Sequence, residues 1–417
     1  MSEAHSSMCE TATLSNGLRI IRHPSSTDVV YCGYAINAGT RDEERNEYGL
    51  AHFVEHILFK GTEKRRAWHI LNRMENVGGD LNAFTTKEET VVYATCMKKD
   101  FARAIELLTD IVFHSVFPER EIRGEAQVIL DEIESYRDTP TELIFDDFED
   151  ILFAGQSLGH NILGTPHQVQ SFCSADAIRF TSRYYHPSNV VLFVYGNIPM
   201  PRIEQWAMRL TADLPSGQFN RQSANPCVLS SVQNKPSTII RHRHTHQSHV
   251  LTGCKAYSMD DCHRLGLCLL SNMLGGPGMN SRLNVVLREH LGLVYNVECN
   301  LTSYTDTGVF NIYFGCDPSD VDRCLESTFA ELHRLCDSSL TPRQIAAAKK
   351  QLIGQSSVAA DNFENTALSM AKSFLHRDIY EDNSVLFRRL EAIEPADLLE
   401  IARDLFHPER FTTLIYK

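Results

Sequence analysis

His52 and His56 stand four residues apart with Glu55 between them, in the segment His52-Phe53-Val54-Glu55-His56. On a helix that spacing places both imidazoles on one face, one turn apart. Two neutral imidazoles so placed can chelate one zinc ion, and the adjacent carboxylate can reach the position that a water would fill. A catalytic zinc takes three protein ligands and keeps that fourth position open, so a further acid is required from elsewhere in the chain. The order His-x-x-Glu-His is the inverse of the commoner zinc-peptidase arrangement. It points to metal-assisted hydrolysis with Glu55 as general base.

Gly49-Leu50-Ala51 leads into this motif, and Ile57-Leu58-Phe59-Lys60-Gly61-Thr62 follows it. With these flanks the segment resembles the pitrilysin/insulinase family of zinc peptidases, in particular its two-domain branch, which includes the mitochondrial processing peptidases. The resemblance spans essentially the whole chain and is strongest over residues 16–200. It implies a third zinc ligand on a helix further along, and Glu132 in Glu125-Ala126-Gln127-Val128-Ile129-Leu130-Asp131-Glu132-Ile133 matches that ligand. It also implies that Glu125 is a supporting acid beside the metal ligands. Seven residues are two helical turns, so Glu125 and Glu132 can share one face, with Val128 and Ile129 between them.

The same resemblance implies that Arg288 and Tyr295 hydrogen-bond the substrate backbone and the tetrahedral oxyanion. In the two-domain branch that pair faces the metal of the partner subunit, so a homodimer with one zinc per chain is expected. Asn82, Ala83, Phe84 and Thr85 correspond to an edge strand on which an extended peptide adds itself by backbone pairing. The implied activity is that of a zinc metalloendopeptidase acting on peptides or unfolded segments in an enclosed chamber. The alternatives are a catalytically silent scaffold and one subunit of a heterodimeric processing peptidase. A purely structural zinc would be closed by four ligands, and no fourth stands nearby.

The elements that must position these residues occur twice. Ile20-Ile21-Arg22-His23 recurs as Ile239-Ile240-Arg241-His242, and Ala175-Asp176 recurs as Ala396-Asp397. Tyr185-His186-Pro187 with an apolar run behind it recurs as Phe406-His407-Pro408. Echoes in one order at nearly one spacing imply two structurally similar halves. In the second half Cys268 falls opposite His52, Asn272 opposite His56, Gln355 opposite Glu132 and Ala348 opposite Glu125, so only the first half holds a ligand set. Residues 214–237, rich in Pro, Ser, Gln and Asn, read as a linker between domains 1–213 and 238–417.

Residues 29–36 and 89–97 carry strand patterns. Residues 67–77 carry a helical one, with Ile70, Leu71, Met74 and Val77 on one face and a stop at Gly78-Gly79. Each half is therefore an α+β layer, a mostly antiparallel sheet covered by helices.

A net charge of −13 argues against a nucleic-acid surface. No apolar run is long enough to span a bilayer, and residues 1–15 lack the pattern of a signal peptide. The twelve cysteines form no C-x-x-C pair and read as reduced thiols, which makes the cytoplasm the expected compartment. The glycine-rich run Gly275-Gly276-Pro277-Gly278 lacks the Lys-Ser/Thr ending of a nucleotide loop. His242, His244 and His246 alternate as on a strand, but no carboxylate or cysteine accompanies them, so they read as a solvent-facing strand rather than a metal box.

Overall fold

The computed structural model describes residues 9–215, 237–243 and 245–417. Most of the expected linker, and His244, lie outside the described residues. The chain divides into two compact units, each built on one sheet.

The first unit holds β1 (Glu10–Thr13), β2 (Arg19–His23), β3 (Val29–Ile36), β4 (Asp80–Thr85), β5 (Thr90–Met97) and β6 (Val190–Tyr195), in the order β1-β2-β6-β3-β5-β4. Only β2 and β6 run parallel, with Arg19 opposite Val191. β4 pairs with β5 alone, from Asp80 opposite Thr95 to Thr85 opposite Thr90, and is an edge of the sheet. The second unit holds β7 (Ser237–Arg241), β8 (Ser248–Ala256), β9 (Val294–Ser303), β10 (Gly308–Cys316) and β11 (Thr412–Tyr416), in the order β7-β11-β8-β10-β9. β7 and β11 form its one parallel pair, with Ser237 opposite Thr412.

The repeated phrases land on equivalent elements. Ile20 and Ile239 lie on β2 and β7, and the two His-Pro turns become the 3-10 turns that lead into β6 and β11. Ala175-Asp176 and Ala396-Asp397 open two helices, Ser174–Tyr184 and Pro395–Leu405, each with its Asp folded back onto the N-terminal backbone. An Asp there satisfies an otherwise unpaired amide and complements the helix dipole.

The compact units do not follow the contiguous division at residues 214–237. Residues 360–382 belong to the first unit and residues 135–159 to the second. The Phe363–Arg377 helix packs Ala367, Met370, Ala371 and Phe374 against Ile21, Val191 and Phe193 of the first sheet. The Pro140–Leu152 helix packs Ile144, Phe148 and Leu152 against Leu251, Val309 and Leu414 of the second. Each half thus sends one helix to the other's sheet, because burying that helix's apolar stripe is what stabilises it, wherever the covering face comes from.

Two side chains depart from their expected helical faces. Ile70 and Met74 are buried, but Leu71 is half-exposed, because the Ala67–Glu75 helix offers only a narrow stripe to its neighbours. On the Glu119–Arg137 helix Ile129 is buried and Val128 half-exposed, so the inner face runs through Ile122, Glu125, Ile129 and Glu132 and leaves Val128 outside it. The histidine-rich stretch is not one strand either. β7 ends at Arg241, while His249 lies on β8 with Nδ1 2.8 Å from the Tyr313 hydroxyl.

Candidate metal and catalytic site

A short helix, Leu50–Ile57, carries the motif, and most of it is buried: Leu50, Ala51, His52, Phe53, Val54 and Ile57. Gly49 caps it with φ +94, a conformation that suits glycine, and a side chain there would strike Gly164 and the Leu163 carbonyl. Gly49 offers no side-chain cap, so a distant carboxylate supplies it. The Gly49 amide donates to Glu43 Oε2 at 2.9 Å and the Ala51 amide to Glu43 Oε1 at 2.7 Å. His160 Nε2 lies 3.0 Å from the same Oε2, and its ring stacks on Tyr48 with centroids 3.8 Å apart. Burial pushes the Glu43 pKa well up, against the pull of the Ala51 and Gly49 amides and the charge of Lys87. This cap anchors the first turn of the helix, the turn that bears His52.

From that helix His52 and His56 project together. Their Nε2 atoms are 3.2 Å apart, and Glu132 Oε2 lies 3.5 Å from His56 Nε2 and 3.8 Å from His52 Nε2. Ligand atoms about 2.0–2.1 Å from a tetrahedral zinc stand about 3.4 Å from one another. The three observed separations bracket that value, so the donor set fits a zinc ion. His52 is buried, and its Nδ1 has no hydrogen-bond partner among the described residues. Burial and the neighbouring His56 push the His52 pKa down to about 3, which keeps a lone pair available for a cation.

Glu125 settles the tautomer of His56. His56 Nδ1 lies 3.0 Å from Glu125 Oε1, and Lys60 Nζ lies 2.5 Å from Glu125 Oε2. Burial opposes ionisation of Glu125, but the bonds to His56 and Lys60 outweigh it and hold its pKa below the usual carboxylate range. An ionised carboxylate only accepts, so His56 Nδ1 donates the proton and Nε2 points its lone pair at the site. Burial likewise opposes a proton on His56, while the Glu125 bond and the charges of Glu55 and Glu132 raise its pKa. Lys60 and Glu43 had no assigned role from the sequence. Lys60 stands in the flanking segment that carried the resemblance, whereas nothing local to Glu43 signals its cap.

Glu55, one residue before His56, accepts a hydrogen bond from Thr85 Oγ1 on β4, 3.0 Å from its Oε2. Burial raises the Glu55 pKa, with His56 and Thr85 pulling the other way and Glu132 adding to the rise. A raised pKa makes the carboxylate a stronger proton acceptor. Of the expected β4 residues, Asn82 is exposed and bonds Asp80 Oδ2 at 2.6 Å, while Ala83 and Phe84 are half-buried. Thr85 touches Glu55.

Arg288 and Tyr295 lie in the second unit, apart from this cluster in the chain's division. Arg288 sits on the π-helical turn Asn284–His290, with its Cζ 5.8 Å from the centroid of the Tyr295 ring. Tyr295, on the edge strand β9, is 83% exposed. Arg288 also lines a cavity of about 410 Å³ with Asn284, Asn296 and Glu298. Among the described residues one other trio, Asp261, Cys262 and His263, brings metal-binding atoms together, but these are three consecutive residues with an exposed thiol.

The profile of the insulinase family, peptidase family M16, matches residues 19–166, and that of the peptidase M16 inactive domain matches residues 172–352. An uncharacterized zinc protease of Streptomyces coelicolor is 31% identical over 399 residues, covering 94% of this chain and 86% of the relative. The chain belongs to the insulinase family, peptidase family M16. Another relative, the mitochondrial-processing peptidase subunit beta of Bos taurus, is 30% identical over 347 residues, covering 81% of this chain and 70% of its own. A protease from Helicobacter pylori shares the fold, with a TM-score of 0.89 at 22% identity over 98% of this chain and 99% of that one. Within this M16 chain the first profile covers all the converging residues, and the inactive-domain profile covers Arg288 and Tyr295. No helix among the described residues is long and apolar enough to cross a membrane.

Proposed function

We propose that the protein is a zinc-dependent endopeptidase that hydrolyses peptides, or unfolded segments of polypeptide, held as an extended strand. The observation that carries this reading is the convergence of His52 Nε2, His56 Nε2 and Glu132 Oε2 at separations of 3.2, 3.5 and 3.8 Å. His52, His56 and Glu132 hold one zinc, which when bound would acidify a water and polarise the scissile carbonyl. Glu55 takes the proton from the attacking water and hands it to the leaving amine. Glu125 fixes the ring of His56 by accepting from its Nδ1. The edge strand β4 pairs the substrate through its backbone, with Asn82, Ala83 and Phe84 beside the peptide.

Arg288 and Tyr295 act in this scheme as donors to the substrate and its oxyanion, brought to a partner subunit's site in a homodimer. The similarity to a processing-peptidase subunit named beta supports a second reading, in which the partner is a different chain. Activity that falls on dilution, and returns on adding the same chain, selects the homodimer. In this scheme residues 1–213 bear the metal, residues 238–417 form the homologous half without metal ligands, and residues 214–237 link the two. The cysteines of the described residues are all free thiols, which supports a reducing compartment such as the cytoplasm.

Digestion of a mixed peptide library with and without a chelator, read by mass spectrometry, tests the reading. Chelator-sensitive cleavage is expected. Zinc-loaded protein that cleaves nothing would leave the silent scaffold in its place.

A further inference from the structure

β4 is an edge strand, and its last residue makes a contact that a docking residue need not make. The Thr85 hydroxyl donates to Glu55 Oε2 at 3.0 Å. Glu55 Oε1 makes no hydrogen bond to the described residues, so only one of the two carboxylate oxygens is tied.

Thr85 is itself held. Its strand pairs with β5 at Thr90, whose hydroxyl is committed to the Ala38 carbonyl at 2.9 Å. The turn between the strands closes through the Thr86 amide on the Glu89 carbonyl at 2.8 Å, and the Thr86 hydroxyl accepts from the Glu88 and Glu89 amides. The Glu89 carboxylate is then anchored by Lys372 Nζ at 2.7 Å and His376 Nε2 at 2.9 Å. A hydroxyl at the end of so fixed a turn is a rigid donor.

We propose that Thr85 is a positioning residue for the general base. It pins one oxygen of Glu55 and leaves the other free to carry the proton, which sets the rotation of the carboxylate. Because Thr85 also ends the strand on which a peptide would add, the substrate and the base share one rigid reference. This deepens the proposed function and rests on it. The role differs from that of a peptide contact: it acts on turnover, not on binding.

The test compares T85V and T85S with the parent protein, each zinc-loaded, on a peptide the parent cleaves. A misplaced base costs up to about a hundredfold, so kcat of T85V should fall by roughly ten- to a hundredfold. KM should stay within about twofold. T85S, which keeps the hydroxyl, should recover most of the rate. In an E55Q background T85V should add no further loss, because the two residues act as one unit. Zinc affinity, from chelator competition, and melting temperature should be those of the parent. A crystal structure of T85V should show the Glu55 carboxylate turned from its present position, and that reading needs no activity. A rise in KM at constant kcat, losses that multiply with E55Q, or an unmoved carboxylate would overturn the proposal. If the parent cleaves no peptide, the proposed function fails, and the carboxylate position alone decides the role of Thr85.

Discussion

Asn272 donates through Nδ2 to Gln355 Oε1 at 2.9 Å, joining the two residues that stand where the first half has His56 and Glu132. Where the first half brings His52, His56 and Glu132 together, the second closes the matching helix pair with an amide-to-amide hydrogen bond. Ala348, opposite Glu125, is buried as Glu125 is, and carries no charge. Neutral amides satisfy each other, whereas facing imidazoles and carboxylates invite a cation. One zinc per chain is therefore expected, and E132Q should leave the purified protein with essentially none. Metal analysis by mass spectrometry checks this. Zinc retained at full stoichiometry in E132Q would place the metal elsewhere.

Glu55→Gln should bind zinc as the parent does and lose turnover by about 100-fold or more, since an amide cannot accept the proton. Side-by-side metal content and peptide cleavage separate the two effects. Near-parental activity would remove Glu55 from the role of base.

Glu125→Gln should weaken zinc binding by about 10- to 100-fold, the usual effect of losing a partner behind a ligating histidine. Lys60 loses its ion-pair partner in the same change. Competition against a chelator of known affinity measures it, and unchanged affinity would reduce Glu125 to a structural acid.

Glu43→Gln replaces one acceptor oxygen with an NH₂ group facing a backbone amide at the start of the metal helix. An unsatisfied buried donor costs about 1–3 kcal/mol. Both melting temperature and zinc affinity should drop. A drop in stability with unchanged zinc affinity would show that the cap does not hold His52.

Glu89 sets a pH dependence of stability. Burial alone would raise its pKa, but the His376 and Lys372 contacts win and hold it down at about 2. A folded pKa below the unfolded value of about 4.3 stabilises the fold above that unfolded value and is lost as pH falls toward the folded one. E89Q should therefore cost up to about 3 kcal/mol at neutral pH. The gap to the parent should close between about pH 4.5 and pH 2. Denaturation curves at several pH values read this directly, and a gap independent of pH would contradict it.

The parts of the site that could be read from the chain are those set by helical geometry or by repetition. His52 and His56 face one way because four residues nearly complete a turn, and the paired Ile-Ile-Arg-His phrases mark equivalent strands because the same local pattern makes the same local element. Glu132 became legible through the family resemblance alone, as no spacing rule links it to a helix so far upstream. The helices Phe363–Arg377 and Pro140–Leu152 carry apolar stripes that any sheet face could cover, so only the packed structure decides that each lies on the other half's sheet. Glu43, Lys60 and Thr85 belong with them. Each acts through a hydrogen bond or ion pair between segments distant in sequence or on different elements, and such contacts exist only once burial has excluded water and fixed the distances.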